Sequence, residues 1–144
     1  MKISTKGRYS LRMMIDIAEC NNTGEWITIK EIAERQGMSV KYLEQIATVL
    51  TRAGLLQSGR GAYGGYKLKK QPEQYTVGEI LRAVEGNLAP VACLEDEINQ
   101  CERNEICKTL VFWQGLHKVI ANYVNSVTLK DLIYGKGKQL NYNI

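Results

Sequence analysis

The chain has 144 residues, 44% of them apolar and 24% charged, with a formal net charge of +4. That is enough apolar material for one ordinary core, which excludes a chain disordered throughout. No run approaches the roughly 18 apolar residues of a membrane-spanning helix, and the opening Met1-Lys2-Ile3-Ser4-Thr5-Lys6-Gly7-Arg8 lacks an apolar signal core, so the cytoplasm is the expected place and no membrane is expected as a partner.

The charge is unevenly spread. Residues 1–70 carry 12 basic and 6 acidic side chains, net +6, whereas residues 71–144 carry 7 and 9, net −2. A basic N-terminal half suits a polyanion-binding module, because phosphate neutralisation supplies most sequence-independent affinity for nucleic acid.

Leu11, Met14, Ile15 and Ala18 recur at helical spacing and predict an amphipathic helix over 9–20, closed by Asn21, Asn22 and Gly24. Thr28 and Glu31 are spaced as a capping box, opening a second helix over about 29–36 with Ile29, Ile32 and Ala33 inward. Gly37 suits a left-handed stop, Met38 plugs the corner, and Ser39 caps a third helix that turns Leu43, Ile46, Ala47 and Leu50 to the core. Residues 55–58 and 66–69, on either side of Gly59-Arg60-Gly61-Ala62-Tyr63-Gly64-Gly65, read as a hairpin. Three helices followed by a hairpin is the order of a winged helix.

Thr76 and Glu79 are spaced as a second capping box, and Val77, Ile80, Leu81 and Val84 give a fourth helix. Residues 85–106 form an acidic loop without sustained period, and a loop of that length is usually functional or disordered. From Cys107 onward Leu110, Trp113, Leu116, Ile120, Tyr123, Val124 and Val127 describe a helix of about five turns. Little chain remains to cover that stripe, since Thr128-Leu129-Lys130-Asp131 opens only a short closing helix, so a second copy is the expected partner, with packing on its own domain as the alternative. The expected fold class is therefore mainly α: a winged helix-turn-helix domain over 1–84, a cysteine-containing sensor loop over 85–106, a dimerisation helix and closing helix over 107–133, and a flexible tail over 134–144.

The exposed face of the third helix presents Val40, Lys41, Tyr42, Gln45, Thr48 and Val49 to a major groove, where Gln pairs with adenine and Lys or Tyr with guanine edges or phosphate. Arg60 stands beside Gly61, Gly64 and Gly65, which let the backbone approach DNA closely, so its guanidinium is a candidate for the minor groove; the plain alternative is a solvated Arg in a flexible turn. Cys93, Cys101 and Cys107 are separated by seven and five residues, unlike the close pairs of structural zinc sites. Thiolates from a loop can hold an iron–sulfur cluster, whose irons prefer sulfur, and free thiols are the alternative. Catalysis is not expected: the single histidine, His117, lies on the long helix without a nucleophile motif and is expected at the helix surface.

Met1-Lys2-Ile3-Ser4-Thr5-Lys6-Gly7-Arg8-Tyr9, Tyr42-Leu43-Glu44-Gln45, Arg60-Gly61-Ala62-Tyr63-Gly64-Gly65-Tyr66 and Val127-Thr128-Leu129-Lys130-Asp131-Leu132 occur in fixed order over about residues 1–133. In these motifs the chain resembles the family of winged-helix transcription regulators that includes IscR, NsrR and CymR. The resemblance implies a homodimer joined through the long helix, reading a roughly palindromic double-stranded operator. It implies that Tyr42 and Gln45, with Val40 and Lys41, meet the bases, that Ser39 belongs to the same DNA-binding surface, that Glu44 tunes base preference, that Arg60 enters the minor groove, and that Lys6 and Arg8 meet phosphates.

It also implies an iron–sulfur cluster, 2Fe–2S before 4Fe–4S, on Cys93, Cys101 and Cys107, with the fourth ligand unassigned. The chain departs from that pattern in having seven residues between its first two cysteines where IscR has five, and Leu110 where IscR has a histidine. The tract Glu85-Gly86-Asn87-Leu88-Ala89-Pro90-Val91 with Leu94-Glu95-Asp96-Glu97 looks more like CymR, which implies the alternative of a repressor controlled by a partner enzyme or thiol oxidation without a cluster.

Overall fold

The computed structural model describes residues 2–20 and 24–135, so the predicted closing role of Asn21 and Asn22 and the tail over 136–144 lie outside the described residues. Helix α1 (Thr5–Cys20) starts four residues earlier than predicted. Ser4 is the reason: its hydroxyl accepts the Gly7 N–H at 3.2 Å and its carbonyl the Arg8 N–H at 3.1 Å, satisfying two of the free amides at a helix start.

Helix α2 (Ile29–Gln36) has the predicted capping box, with Glu31 N–H donating to Thr28 Oγ1 at 3.2 Å and Thr28 N–H donating to Glu31 Oε2 at 2.8 Å. Gly37 closes it in the left-handed region, φ 64°, where a side chain would be strained. Ser39 Oγ then accepts the Tyr42 N–H at 3.3 Å and opens α3 (Val40–Arg52).

Strands β1 (Leu56–Gly59) and β2 (Gly65–Leu68) pair antiparallel, Leu56 opposite Leu68 and Gly59 opposite Gly65. Tyr66 also exchanges both backbone bonds with Ile27, at 2.8 and 3.0 Å, which ties the hairpin to the segment leading into α2.

Helix α4 (Val77–Glu85) has only half of its predicted capping box. Thr76 Oγ1 accepts the Glu79 N–H at 3.0 Å, but the Glu79 carboxylate takes the Lys70 ammonium at 2.9 Å instead. The Thr128 and Asp131 pair forms the full box and opens α6 (Leu129–Ile133).

Helix α5 (Leu110–Ser126) begins three residues later than predicted, because Cys107 to Thr109 make a turn closed by Leu110 N–H on the Cys107 carbonyl. The chain then returns to the first domain: Val77 N–H bonds the Val127 carbonyl at 2.9 Å and Leu129 N–H the Tyr75 carbonyl at 3.0 Å.

Met13, Met14 and Ile17 of α1, Ile32 of α2, Leu43, Ile46 and Leu50 of α3, Leu56, Ile80 and Leu129 share one core with no exposed surface. Truncating such a residue to Ala costs about 2–5 kcal/mol. Tyr75 lies in the same core with its hydroxyl satisfied, donating to the Leu55 carbonyl at 2.8 Å and accepting Lys69 N–H at 2.9 Å, so it pins the hairpin to the α4 side.

Candidate nucleic-acid interface

Helix-turn-helix recognition needs a fixed angle between two helices, and the apolar corner of Ala33, Met38, Leu43 and Ile46 supplies the packing. A polar strap ties the first of the two helices, α2, to α1. Asp16 of α1, 3% exposed, accepts Arg35 Nη2 at 2.7 Å and Nε at 3.1 Å and Gln36 Nε2 at 2.9 Å, while Arg12 donates to the Gln36 carbonyl at 2.6 Å. The Asp16 carboxylate holds the Arg35 guanidinium more firmly protonated than usual.

With the angle set, Ser39, Val40, Lys41, Glu44, Gln45 and Thr48 are exposed along one side of α3. Ser39 is occupied by its cap and the Thr48 hydroxyl donates to the Glu44 carbonyl at 2.8 Å. Tyr42 is half-buried, its ring edge-on to Tyr9 of α1 at 5.8 Å between centroids, which sets the first turns of α1 and α3 side by side. In that first turn of α1 Arg8 is exposed, with Nη2 3.3 Å from Thr5 Oγ1, and Lys6 is half-buried.

The hairpin projects Arg60 and Tyr63 into solvent, the latter 92% exposed. Gly61, φ 93°, faces open space. Gly64 and Gly65 have reasons inside the hairpin itself: a Cβ on Gly64 would strike the Gly59 carbonyl oxygen, and one on Gly65 the Ile27 carbonyl oxygen. Trp26 stiffens the base, its ring lying under Gly59 and 4.3 Å from the Lys67 ammonium.

The cysteine loop lies apart from this surface. Cys93, in a short 3-10 turn over Ala92–Leu94, and Cys101 line a cavity of about 300 Å³ with Asp96 and Ile98. Cys107 does not line it; its thiol is 3.3 Å from the Thr109 hydroxyl, a contact that lowers its pKa. Among the described residues no three His, Cys, Asp or Glu side chains are gathered to hold a metal ion. The donor type suits an iron–sulfur cluster; Cys93 and Cys101 share one cavity, and Cys107 stands outside it. Cys20 is separate again, at the end of α1, where burial raises its thiol pKa.

The α5 stripe named from sequence is only partly covered: Leu110, Trp113, Leu116, Ile120 and Val124 are half-buried, α4 being the main neighbour. Tyr123 is exposed and Val127 buried. A second apolar face stands bare, with Val111 77%, Phe112 63% and Val119 58% exposed beside Gly115.

Residues 3–135 match the family model described as Rrf2, iron-dependent transcriptional regulator. The chain belongs to the Rrf2 family. The Bacillus subtilis transcriptional regulator CymR is 41% identical over 143 residues, covering 99% of this chain and 97% of its own. Among solved structures, CymR, described as the global cysteine regulator of B. subtilis, aligns with a TM-score of 0.74 and 36% identity over 94% of this chain and 98% of that one. The T. potens IscR structure aligns at 0.73 and 37%, over 94% and 88%.

The mainly α winged-helix fold and the recognition of this family from its motifs are thus both established, as is a role in transcription regulation rather than catalysis. No helix among the described residues is long and apolar enough to cross a membrane.

Two features of this Rrf2 chain differ from or escaped the sequence reading. His117 is not a plain surface residue: it is half-buried, and its Nδ1 is buried without a hydrogen-bond partner among the described residues. The Asp16 strap escaped notice, although a charged residue between Met13 and Ile17 on the buried face of α1 was its visible sign.

Proposed function

We propose that this Rrf2 regulator acts as a homodimer on a roughly palindromic double-stranded operator, each copy laying α3 in a major groove and its hairpin along the adjacent minor groove. The observation that carries this is the exposed face of α3, with the side chains of Lys41, Glu44 and Gln45 free of hydrogen-bond or ion-pair partners among the described residues, on a helix anchored in the core by Leu43, Ile46 and Leu50. Val40 and Tyr42 add apolar and aromatic contact to bases, Ser39 lies at the helix start that meets the backbone, Lys6 and Arg8 meet phosphates, and Arg60, with Gly61, Gly64 and Gly65 shaping its loop, enters the minor groove. The test is binding to random duplexes followed by selection for tight sites. A steep fall of affinity with salt and enrichment of a two-fold symmetric site are expected. Weak binding at every salt concentration would overturn the reading.

Residues 85–106 are proposed as the sensing element, working through thiol chemistry or a partner protein; the 41% identity to CymR over nearly the whole chain supports this. A second reading, supported by three sulfur donors in one loop and the likeness to IscR, is a cluster on Cys93, Cys101 and Cys107. Iron and acid-labile sulfide assays on protein purified without oxygen decide between them: matched iron and sulfide would establish the cluster, and colourless protein after reconstitution would exclude it.

A further inference from the structure

A cavity of about 210 Å³ lies between the C-terminal end of α4, the loop that follows and α5. Arg82, Glu95 and His117 line it together with the apolar Leu88, Leu94 and Ile120. Three observations set it apart from an ordinary surface crevice. His117 Nδ1 is buried with no partner among the described residues, which ordinarily costs about 1–3 kcal/mol unless something is bound there. Arg82 uses one nitrogen on Asn125 Oδ1, at 2.8 Å, and forms no ion pair among the described residues; neither does Glu95. A cation and an anion thus line one small space without forming an ion pair.

We propose that this cavity binds a free α-amino acid with a small uncharged side chain. The carboxylate faces Arg82, the ammonium faces Glu95, and the side chain lies on Leu88, Leu94 and Ile120. His117 Nδ1 is covered in the free protein, so the zwitterion reaches it as the imidazole turns toward the cavity, and there it has a partner in either tautomer: with a proton Nδ1 donates to the carboxylate, and without one it accepts from the ammonium. The volume lies below the roughly 300 Å³ at which sites for drug-sized ligands begin, which suits a ligand of amino-acid size.

A contact centred on the bare face of α5 leaves this wall of the cavity uncovered. With 3.6 residues per turn, His117 and Ile120 lie on the side of α5 opposite Val111, Gly115 and Val119. Its walls also reach the DNA-facing parts. Glu85, one turn beyond Arg82, accepts the Ser4 N–H at 3.0 Å and the Ser4 hydroxyl at 2.6 Å, and so holds the start of α1 where Lys6 and Arg8 stand. An amino acid that favours one placement of α4 against α5 shifts operator affinity by its differential affinity for the two placements. This last consequence rests on the proposed function; binding does not.

The test is calorimetric titration of the full chain with L-alanine, L-serine, L-cysteine and L-valine, against propionate and propylamine as half-ligands. At least one amino acid is expected to bind tenfold or more tightly than either half-ligand, and Glu95→Gln and His117→Leu are each expected to weaken it tenfold or more. Glu95 is exposed, so its variant folds. No binding by any of the four, propionate binding as tightly, or affinity unmoved in both variants would overturn the site. Operator affinity measured with and without the amino acid is expected to differ, and identical values would overturn the coupling alone. Because the calorimetry contains no DNA, its failure is distinct from a failure of operator binding.

Discussion

Gln45 stands out at the scale of single residues because its neighbours on α3 are already committed: Tyr42 to the Tyr9 ring, Thr48 to the Glu44 carbonyl, Ser39 to the helix cap. An amide with both donor and acceptor free is suited to a bidentate contact with adenine. Gln45→Ala is expected to reduce discrimination between operator and random duplex by about 1–3 kcal/mol, read as the ratio of the two dissociation constants. An unchanged ratio would remove Gln45 from the contact surface. Arg60 makes a different prediction, since a guanidinium in a narrow minor groove reads shape and potential. For Arg60→Ala the loss of affinity is expected to be largest on sites with A·T-rich flanks; equal loss on every site would reduce Arg60 to a phosphate contact.

Between helices, the strap from Asp16 is the buried polar contact that ties α2 to α1. Arg35→Ala leaves a carboxylate 3% exposed with Gln36 as its remaining donor. The expected loss is about 2–3 kcal/mol by denaturant titration, below the roughly 3–5 of a fully buried pair because Arg35 is itself 41% exposed. The capping box at α2 supplies a pH signature. Its Thr28 N–H and hydroxyl hold the Glu31 carboxyl below the usual range, so the group stabilises the fold above its unfolded pKa near 4.3, and that stability is lost as pH falls through the lower folded value. The melting temperature of Glu31→Ala is expected to lie below that of the parent at neutral pH and to converge with it in acid; a gap constant with pH would overturn this. Both caps of the helix-turn-helix were legible in the sequence because a cap is written within three residues. Partnerships across longer separations were not. Asp16 meets Arg35 nineteen residues on, Glu79 abandons its own helix start for Lys70, and His117 is enclosed by a loop whose path no periodicity dictates.

The whole molecule turns on α5, where periodicity was informative and incomplete. A helix with apolar residues on two sides yields two stripes, and spacing alone cannot say which one its own domain covers. The structure turns Trp113, Ile120 and Val124 inward and leaves Val111, Phe112 and Val119 bare. Burying side chains of this kind gains roughly 1.5–3 kcal/mol each, so a two-fold contact between two such faces doubles a substantial driving force. Phe112→Asp combined with Val119→Asp places charge at the centre of that face without touching the core. Light scattering is expected to show a monomer with an unchanged melting profile in dilute solution, and a retained dimer would overturn the assignment of this face. The effect on DNA follows from linkage. Two joined winged helices bind a palindrome with the second contact made intramolecular, so separating them is expected to weaken binding to the full site by about 10²–10⁴-fold while leaving affinity for a single half-site unchanged. Equal loss on the half-site would mean that the substitutions had disturbed the reading head itself, and the long helix would then be a structural support of the winged helix rather than the joint between two copies.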